Sequence, residues 1–293
     1  MGGQWFVLAA ALLWGTTGTA QAFAPTGTQP AAVGAVRLII GSMVLLTFAH
    51  FKGVLHRGTP WPLVPTAFAS ISIAAYQLFF FAGVSRTGVA IGTIIAIGSA
   101  PILAGLLAYL WRKEKPRQKW ILATMVAVAG CVLIMIPKGD VQIDPLGFLL
   151  TLGAGAAYAT YAVTSKGLLD SHPPDAVAAV VFSLGAIFLS PLLIRANLAW
   201  LVQPRGLAVA LHLGVFATAA AYVLFSRGLM SIPVASAVTL SLAEPVTAGI
   251  LGILLLGERL TPLILIGMAL VLSGLALLSS PTLQHKPAKR LTD

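Results

Sequence analysis

Two ionisable side chains stand where an apolar sequence should carry none. Arg37 interrupts the apolar run from Ala31 to Ala49, and Glu244 interrupts the run from Val234 to Leu256, directly before Pro245. A charge at bilayer depth is costly unless it is paired or wet, so such residues mark candidate sites. A guanidinium at position 37 can hold a carboxylate. A carboxylate at position 244 can bind a cationic group or carry a proton. A structural pair, or bonds to helix carbonyls, would satisfy the same two residues, and the residues alone leave both readings open.

Polar and aromatic side chains gather at the same depth. They include Trp14, Thr16 and Thr17; Tyr76, Gln77, Phe79 and Phe80; Thr93 and Ser99; Tyr158, Thr160, Tyr161 and Thr164; and Tyr222, Ser226, Thr239 and Ser241. A lone Ser or Thr in a helix can satisfy itself on the preceding turn. Rings with one polar tip are more informative, because they suit an amphipathic ligand with a flat apolar part, and their faces attract a cation. The expected binding set is Trp14, Thr17, Tyr76, Gln77, Tyr158, Tyr161, Tyr222 and Glu244, with Arg37 as the second buried charge. Pro101 and Pro245 fall near the middle of two apolar runs. Each removes a backbone hydrogen bond, so both are expected to kink or gate.

These residues must be held by membrane helices. The 293-residue chain is 58% hydrophobic and 9% charged, with a mean hydropathy of +0.95, whereas a soluble domain carries about 25% charged residues. A helix needs about 20 apolar residues to cross the hydrocarbon. Runs of that length are expected near 4–23, 30–50, 62–83, 88–110, 117–136, 146–165, 175–194, 206–226, 233–256 and 261–280. The fold expected is therefore an all-α integral membrane protein of ten spans.

The chain also repeats itself at a shift of about 144 residues. Pro101 falls on Pro245, Gly105 on Gly249, Glu114 on Glu258, Gly130 on Gly274 and Pro137 on Pro281, and Trp14 falls on Tyr158. The division expected is residues 1–139 and 140–293, each with five helices, the second ending in a short basic tail. An odd number of spans per unit turns the second unit upside down. Two inverted units around a midplane site are the build of many transporters. Arg37 and Glu244 have no counterparts, because Val181 and Ala100 occupy the matching positions.

Charge gives the orientation. With the N-terminus in the cytoplasm, that side carries Lys52, Arg57, Arg112, Lys113, Lys115, Arg117, Lys119, Lys166, Arg227, Lys286, Lys289 and Arg290. The other side carries Arg86, Lys138, Arg195, Arg205 and Arg259. This is the positive-inside bias, and it places both termini in the cytoplasm. Trp5, Trp61, Trp111, Trp120 and Trp200 sit at span ends and read as interfacial anchors. Ala20-Gln21-Ala22 resembles a cleavage site, but Met1-Gly2-Gly3-Gln4 lacks a basic start, so a retained first helix is expected. Small residues four apart, such as Gly153 and Ala157, Gly214 and Thr218, and Ala217 and Ala221, read as close-packing positions.

Several functions are disfavoured. The net charge of +10 is spread between apolar runs, so nucleic acid is not an expected partner. Cys131 is the single cysteine, which leaves no disulfide framework, and zinc-ligand spacings are missing. No Walker-type glycine loop occurs. His50, His56, His172 and His285 fall at loops or termini and His212 near a span end, so no nucleophile–base set is expected. Accordingly no catalytic residue, cofactor or metal is expected.

The Leu13-Trp14-Gly15-Thr16 start, Arg37-Leu38, Ala243-Glu244-Pro245, Gly257-Glu258-Arg259-Leu260 and the pair Gly130 and Gly274 together resemble the drug/metabolite transporters of the ten-helix EamA type. Within that superfamily the chain is most similar to YddG-type exporters of aromatic amino acids. The resemblance covers the whole chain. It implies a monomeric secondary transporter of the bacterial inner membrane that exports small metabolites, amino acids foremost, through a central cavity by alternating access. Ala100 stands before Pro101 where the second half has Glu244, which departs from any symmetric two-carboxylate coupling, although Glu244 alone could couple a proton. The alternatives are export of another metabolite or a cationic drug, and, from a different class, a membrane-embedded enzyme or scaffold.

Overall fold

In hydrocarbon every backbone N–H and C=O must be satisfied within its own segment, which leaves this sequence the helix as its spanning element. The computed structural model describes residues 2–55, 60–136 and 144–280, and all its regular structure there is helical. The helices are α1 (Gly2–Ala22), α2 (Pro30–Phe51), α3 (Leu63–Thr87), α4 (Val89–Arg112), α5 (Gln118–Met135), α6 (Pro145–Leu168), α7 (Pro174–Leu189), α8 (Pro204–Ser231), α9 (Val234–Leu256) and α10 (Pro262–Ser279). Proline opens α2, α6, α7, α8 and α10, where its missing N–H costs nothing. The Asp144 carboxylate caps α6 by accepting the Gly147 N–H at 2.8 Å. That bond, followed by contact with Arg86, holds the Asp144 carboxyl below the usual carboxylate range.

Nine of these helices are long and apolar enough to cross a bilayer. The 21-residue α1 falls below that apolarity because it carries Gln4, Thr16, Thr17 and Thr19. Large apolar side chains lie on the outside of the bundle, Leu254 being 72% exposed. An outer surface of this kind is built for lipid, and the protein is an integral membrane protein.

The packing has a regular plan. α3 packs on α6 as α8 packs on α1, α4 on α6 as α9 on α1, and α3 on α7 as α8 on α2. α2 pairs with α7, α4 with α9 and α5 with α10. Shifting every helix number by five carries this set of pairs onto itself. At the α5–α10 crossing a Cβ at Gly130 would stand 2.5 Å from the Gly267 carbonyl oxygen, and one at Gly274 would stand 2.7 Å from that of Ala123. Gly214 and Thr218 meet Ile40 and Gly41 of α2, which is the close approach expected of small residues four apart. The expected unit boundary, Pro137, Pro281, His56, Arg57, Lys138, His285, Lys286, Lys289 and Arg290 lie outside the described residues.

Three features depart from a plain bundle. The backbone differs at Pro101 and Pro245. α4 runs unbroken through Pro101, whereas α9 tightens into a 3-10 turn at Ser241–Ala243. Pro245 cannot bond the Ser241 carbonyl, and the Glu244 N–H takes that carbonyl instead. Secondly, α8 is not a plain helix, since His212–Ala220 is π-helical and the Thr218 hydroxyl donates to the Leu213 carbonyl at 2.8 Å. Thirdly, the tryptophans divide. Trp5 and Trp111 are exposed, but Trp200 is buried against Val33, Val36 and Val209. Trp61 stacks on His172 at 4.0 Å, and the Trp120 indole donates to Thr239 at 3.0 Å. These three rings pack against other parts of the bundle.

Candidate functional site

A cavity of about 460 Å³ lies between α1, α2, α3, α4, α5, α6, α8 and α9, within the range of roughly 300–1,000 Å³ typical of small-molecule sites. Trp14 and Thr17 reach it from α1, Arg37 from α2, Tyr76 and Phe80 from α3, Thr93 from α4, Tyr158 from α6, Tyr222 from α8, and Ser241 and Glu244 from α9. Its mouth is formed by Gln21, Val89, Met135, Leu256 and Glu258. All of these lie at the end of the bundle where α1, α5 and α9 finish.

The two charges within the apolar runs, Arg37 and Glu244, share this cavity. One Arg37 Nη donates to Gln77 Oε1 at 2.9 Å, and Gln77 is itself buried on α3. Gln77 thus holds the guanidinium from behind and does not line the cavity. Neither Arg37 nor Glu244 belongs to an ion pair among the described residues. Glu244 stands at the start of the helical stretch resumed after the 3-10 turn, where the helix dipole favours an anion. Arg37 Nε and Trp14 Nε1 are buried without a hydrogen-bond partner, and the buried Tyr158 hydroxyl lies beside Ser241. Polar groups left so inside a protein are costly.

Aromatic rings build the rest of the wall. Trp14 lies 4.9 Å from Tyr222 and meets Tyr158 edge-on at 6.4 Å, and Tyr76 lies 5.7 Å from Tyr158. Tyr161 does not line the cavity. It is fully buried and stacks on Phe225 at 6.3 Å, with Phe182 at 5.9 Å, beneath the lining rings. Pro245 lines the cavity; Pro101 does not, although its neighbour Ala100 does.

The far end is cross-linked by polar contacts. Asp175, at the start of α7, accepts from Arg227 at the end of α8 (3.0 Å twice) and from Lys52 after α2 (3.0 Å). The Lys166 ammonium donates to the carbonyls of Leu229, Met230 and Ile232 at 2.7–3.2 Å. Arg112 bridges Asp170 and Glu114, and Glu114 accepts the Val234 N–H at 3.0 Å. At the mouth end, Arg86–Asp144 at 3.3 Å is the ion pair among the described residues.

Sequence reasoning missed Gln21, Phe81, Val89 and Glu258 as lining residues. Each stands near a span end, where charge or bulk reads as interfacial. It also missed the contact of His212 Nε2 with the Thr16 hydroxyl at 2.8 Å, which depends on how α1 and α8 cross.

A model of the EamA-like transporter family matches residues 1–136 and again 145–280. The uncharacterized transporter YwfM of Bacillus subtilis is 47% identical over 285 residues, covering 97% of this chain and 96% of that protein. The threonine/homoserine exporter RhtA of Escherichia coli is 29% identical over 274 residues, covering 92% and 88%. A solved crystal structure superposes with a TM-score of 0.82 at 22% identity, covering 94% of this chain and 96% of the other, which shows a common fold. The apolar ten-helix bundle and its charged, aromatic cavity are therefore those of a transporter, and the chain belongs to the EamA-like transporter family.

Proposed function

We propose that the protein exports amino acids, aromatic ones included, across the bacterial inner membrane as a secondary transporter. The carrying observation is that one arginine and one glutamate, unpaired with each other, face a single aromatic cavity. A zwitterion fits that arrangement. Arg37 takes the carboxylate, Glu244 takes the ammonium group, and Trp14, Tyr76, Tyr158 and Tyr222 take an apolar side chain. The relatedness to a threonine/homoserine exporter supports the same substrate class.

In this reading residues 1–139 and 140–293 form two inverted units that rock about the cavity. Basic residues at the tied end, Arg112, Lys113, Lys115, Arg117 and Lys119 among them, support a cytoplasmic location for that end and the termini by the positive-inside bias, and with that orientation the cavity faces outward. Glu244 doubles as the proton carrier, and the monomer is the working unit. Proteoliposomes loaded with labelled phenylalanine or threonine test the proposal. Protein-dependent flux, competed by unlabelled amino acids and not by amine or quaternary cations, is expected. Flux competed only by cations would assign the cavity to cationic compounds and overturn the zwitterion reading.

A further inference from the structure

We infer that Glu114 and Glu258 are one latch used twice, closing opposite ends of the molecule in turn. α4 ends at Arg112, and Lys113 follows in the left-handed conformation with φ 58°. This turn brings the Glu114 carboxylate onto the Val234 N–H at the start of α9, at 3.0 Å. First-turn N–H groups have no partner inside their own helix, and the dipole there favours an anion. The bond therefore ties the end of one helix to the beginning of another at the end of the bundle opposite the mouth.

The same cap recurs after α9. Gly257 takes the left-handed conformation with φ 69°, and the Glu258 N–H bonds the Gly252 carbonyl at 3.1 Å just as the Glu114 N–H bonds that of Ala108 at 3.2 Å. The shift that carries Glu114 to Glu258 carries Ala90 to Val234. Ala90 lies in the first turn of α4, whose opening N–H groups are likewise free of helix partners. Glu258 has not made that contact. Its carboxylate lies back over Gly252, where a Cβ would stand 2.5 Å from one oxygen, and it lines the cavity mouth together with Val89. One copy of the device is engaged at the tied end while the other is disengaged at the mouth. Closing the mouth brings Glu258 onto the first turn of α4, and opening the tied end releases Glu114 from Val234. The inference rests on the reading that the two halves exchange roles during transport.

Thiol accessibility tests it in the full chain in proteoliposomes. Thr93→Cys, on a Cys131→Ala background, places a reporter on the cavity wall, and an impermeant maleimide is applied from the mouth side. Glu114→Ala should lower the labelling rate about tenfold, the worth of one hydrogen bond to a charged group, because only the mouth latch remains. Adding Glu258→Ala to that variant should restore the rate. An unchanged rate in Glu114→Ala, or a double variant as slow as the single one, overturns the inference. Should the alanine variant fail to insert, Glu114→Gln keeps the shape and must shift the rate in the same direction. The readout needs no substrate, so failure of amino-acid flux would sink the substrate assignment and leave this test standing.

Discussion

Replacing Arg37 with glutamine should erase the recognition of a carboxylate while leaving the cavity in place. Among the described residues the guanidinium bonds to protein through Gln77, and its Nε is buried without a hydrogen-bond partner. A hydrogen bond to a charged group contributes about 1.5–3 kcal/mol, and each 1.4 kcal/mol is about a factor of ten. The native protein should therefore prefer phenylalanine to phenylalaninamide, which keeps the ammonium group and loses the carboxylate, by about 10- to 100-fold. In Arg37→Gln that preference should collapse to near unity, with phenylalaninamide affected little. The glutamine amide still offers an N–H toward Gln77, which limits the cost of stranding that buried group, about 1–3 kcal/mol otherwise. Competition against labelled phenylalanine in proteoliposomes gives both affinities. If Arg37→Gln weakens the acid and the amide equally, the guanidinium holds the bundle together and the assignment of the carboxylate pole is wrong.

The remaining predictions probe other parts of the structure. Glu244→Gln should flatten the pH profile of flux over the range in which the protein stays folded; a profile that still follows pH would remove Glu244 as proton carrier. Gly130→Ala should lower stability by about 1–3 kcal/mol, because its Cβ would meet the backbone of Gly267 and Val271. Gly98→Ala, whose Cβ meets only Val128 at 3.5 Å, should gain about 0.5–1 kcal/mol, and thermal unfolding in detergent separates the two. Asp144→Asn should weaken the cap of α6. Since the folded carboxyl is held low, its contribution is present above the unfolded carboxylate pKa and fades as pH falls through the folded one. The stability gap between native protein and Asp144→Asn should accordingly narrow in acid, and a gap unchanged by pH would contradict it.

Hydropathy alone revealed the helices, because in hydrocarbon a run of apolar residues has one way to satisfy its backbone. The break in α9 was also legible, since Pro245 removes a donor at a fixed position. Its counterpart Pro101 shows the limit of that rule: the sequence names the missing bond, and packing decides whether the helix breaks. The π-helical stretch of α8 was not legible, because one extra residue per turn leaves the apolar run unchanged. Arg37, Glu244 and the lining tyrosines stood out as polar groups in apolar runs. Gln77 was visible too, but its role behind Arg37 depends on how α2 meets α3. Glu258 read as a loop charge until the left-handed turn at Gly257 folded it back over the cavity.

A structure of the protein bound to phenylalanine tests the central claim most directly. The account predicts the amino acid between α2 and α9, its carboxylate within hydrogen-bond distance of Arg37, its ammonium group on Glu244 and its ring against Trp14 and Tyr222. Phenylalanine bound with its poles away from both residues, or held outside this cavity, would contradict it.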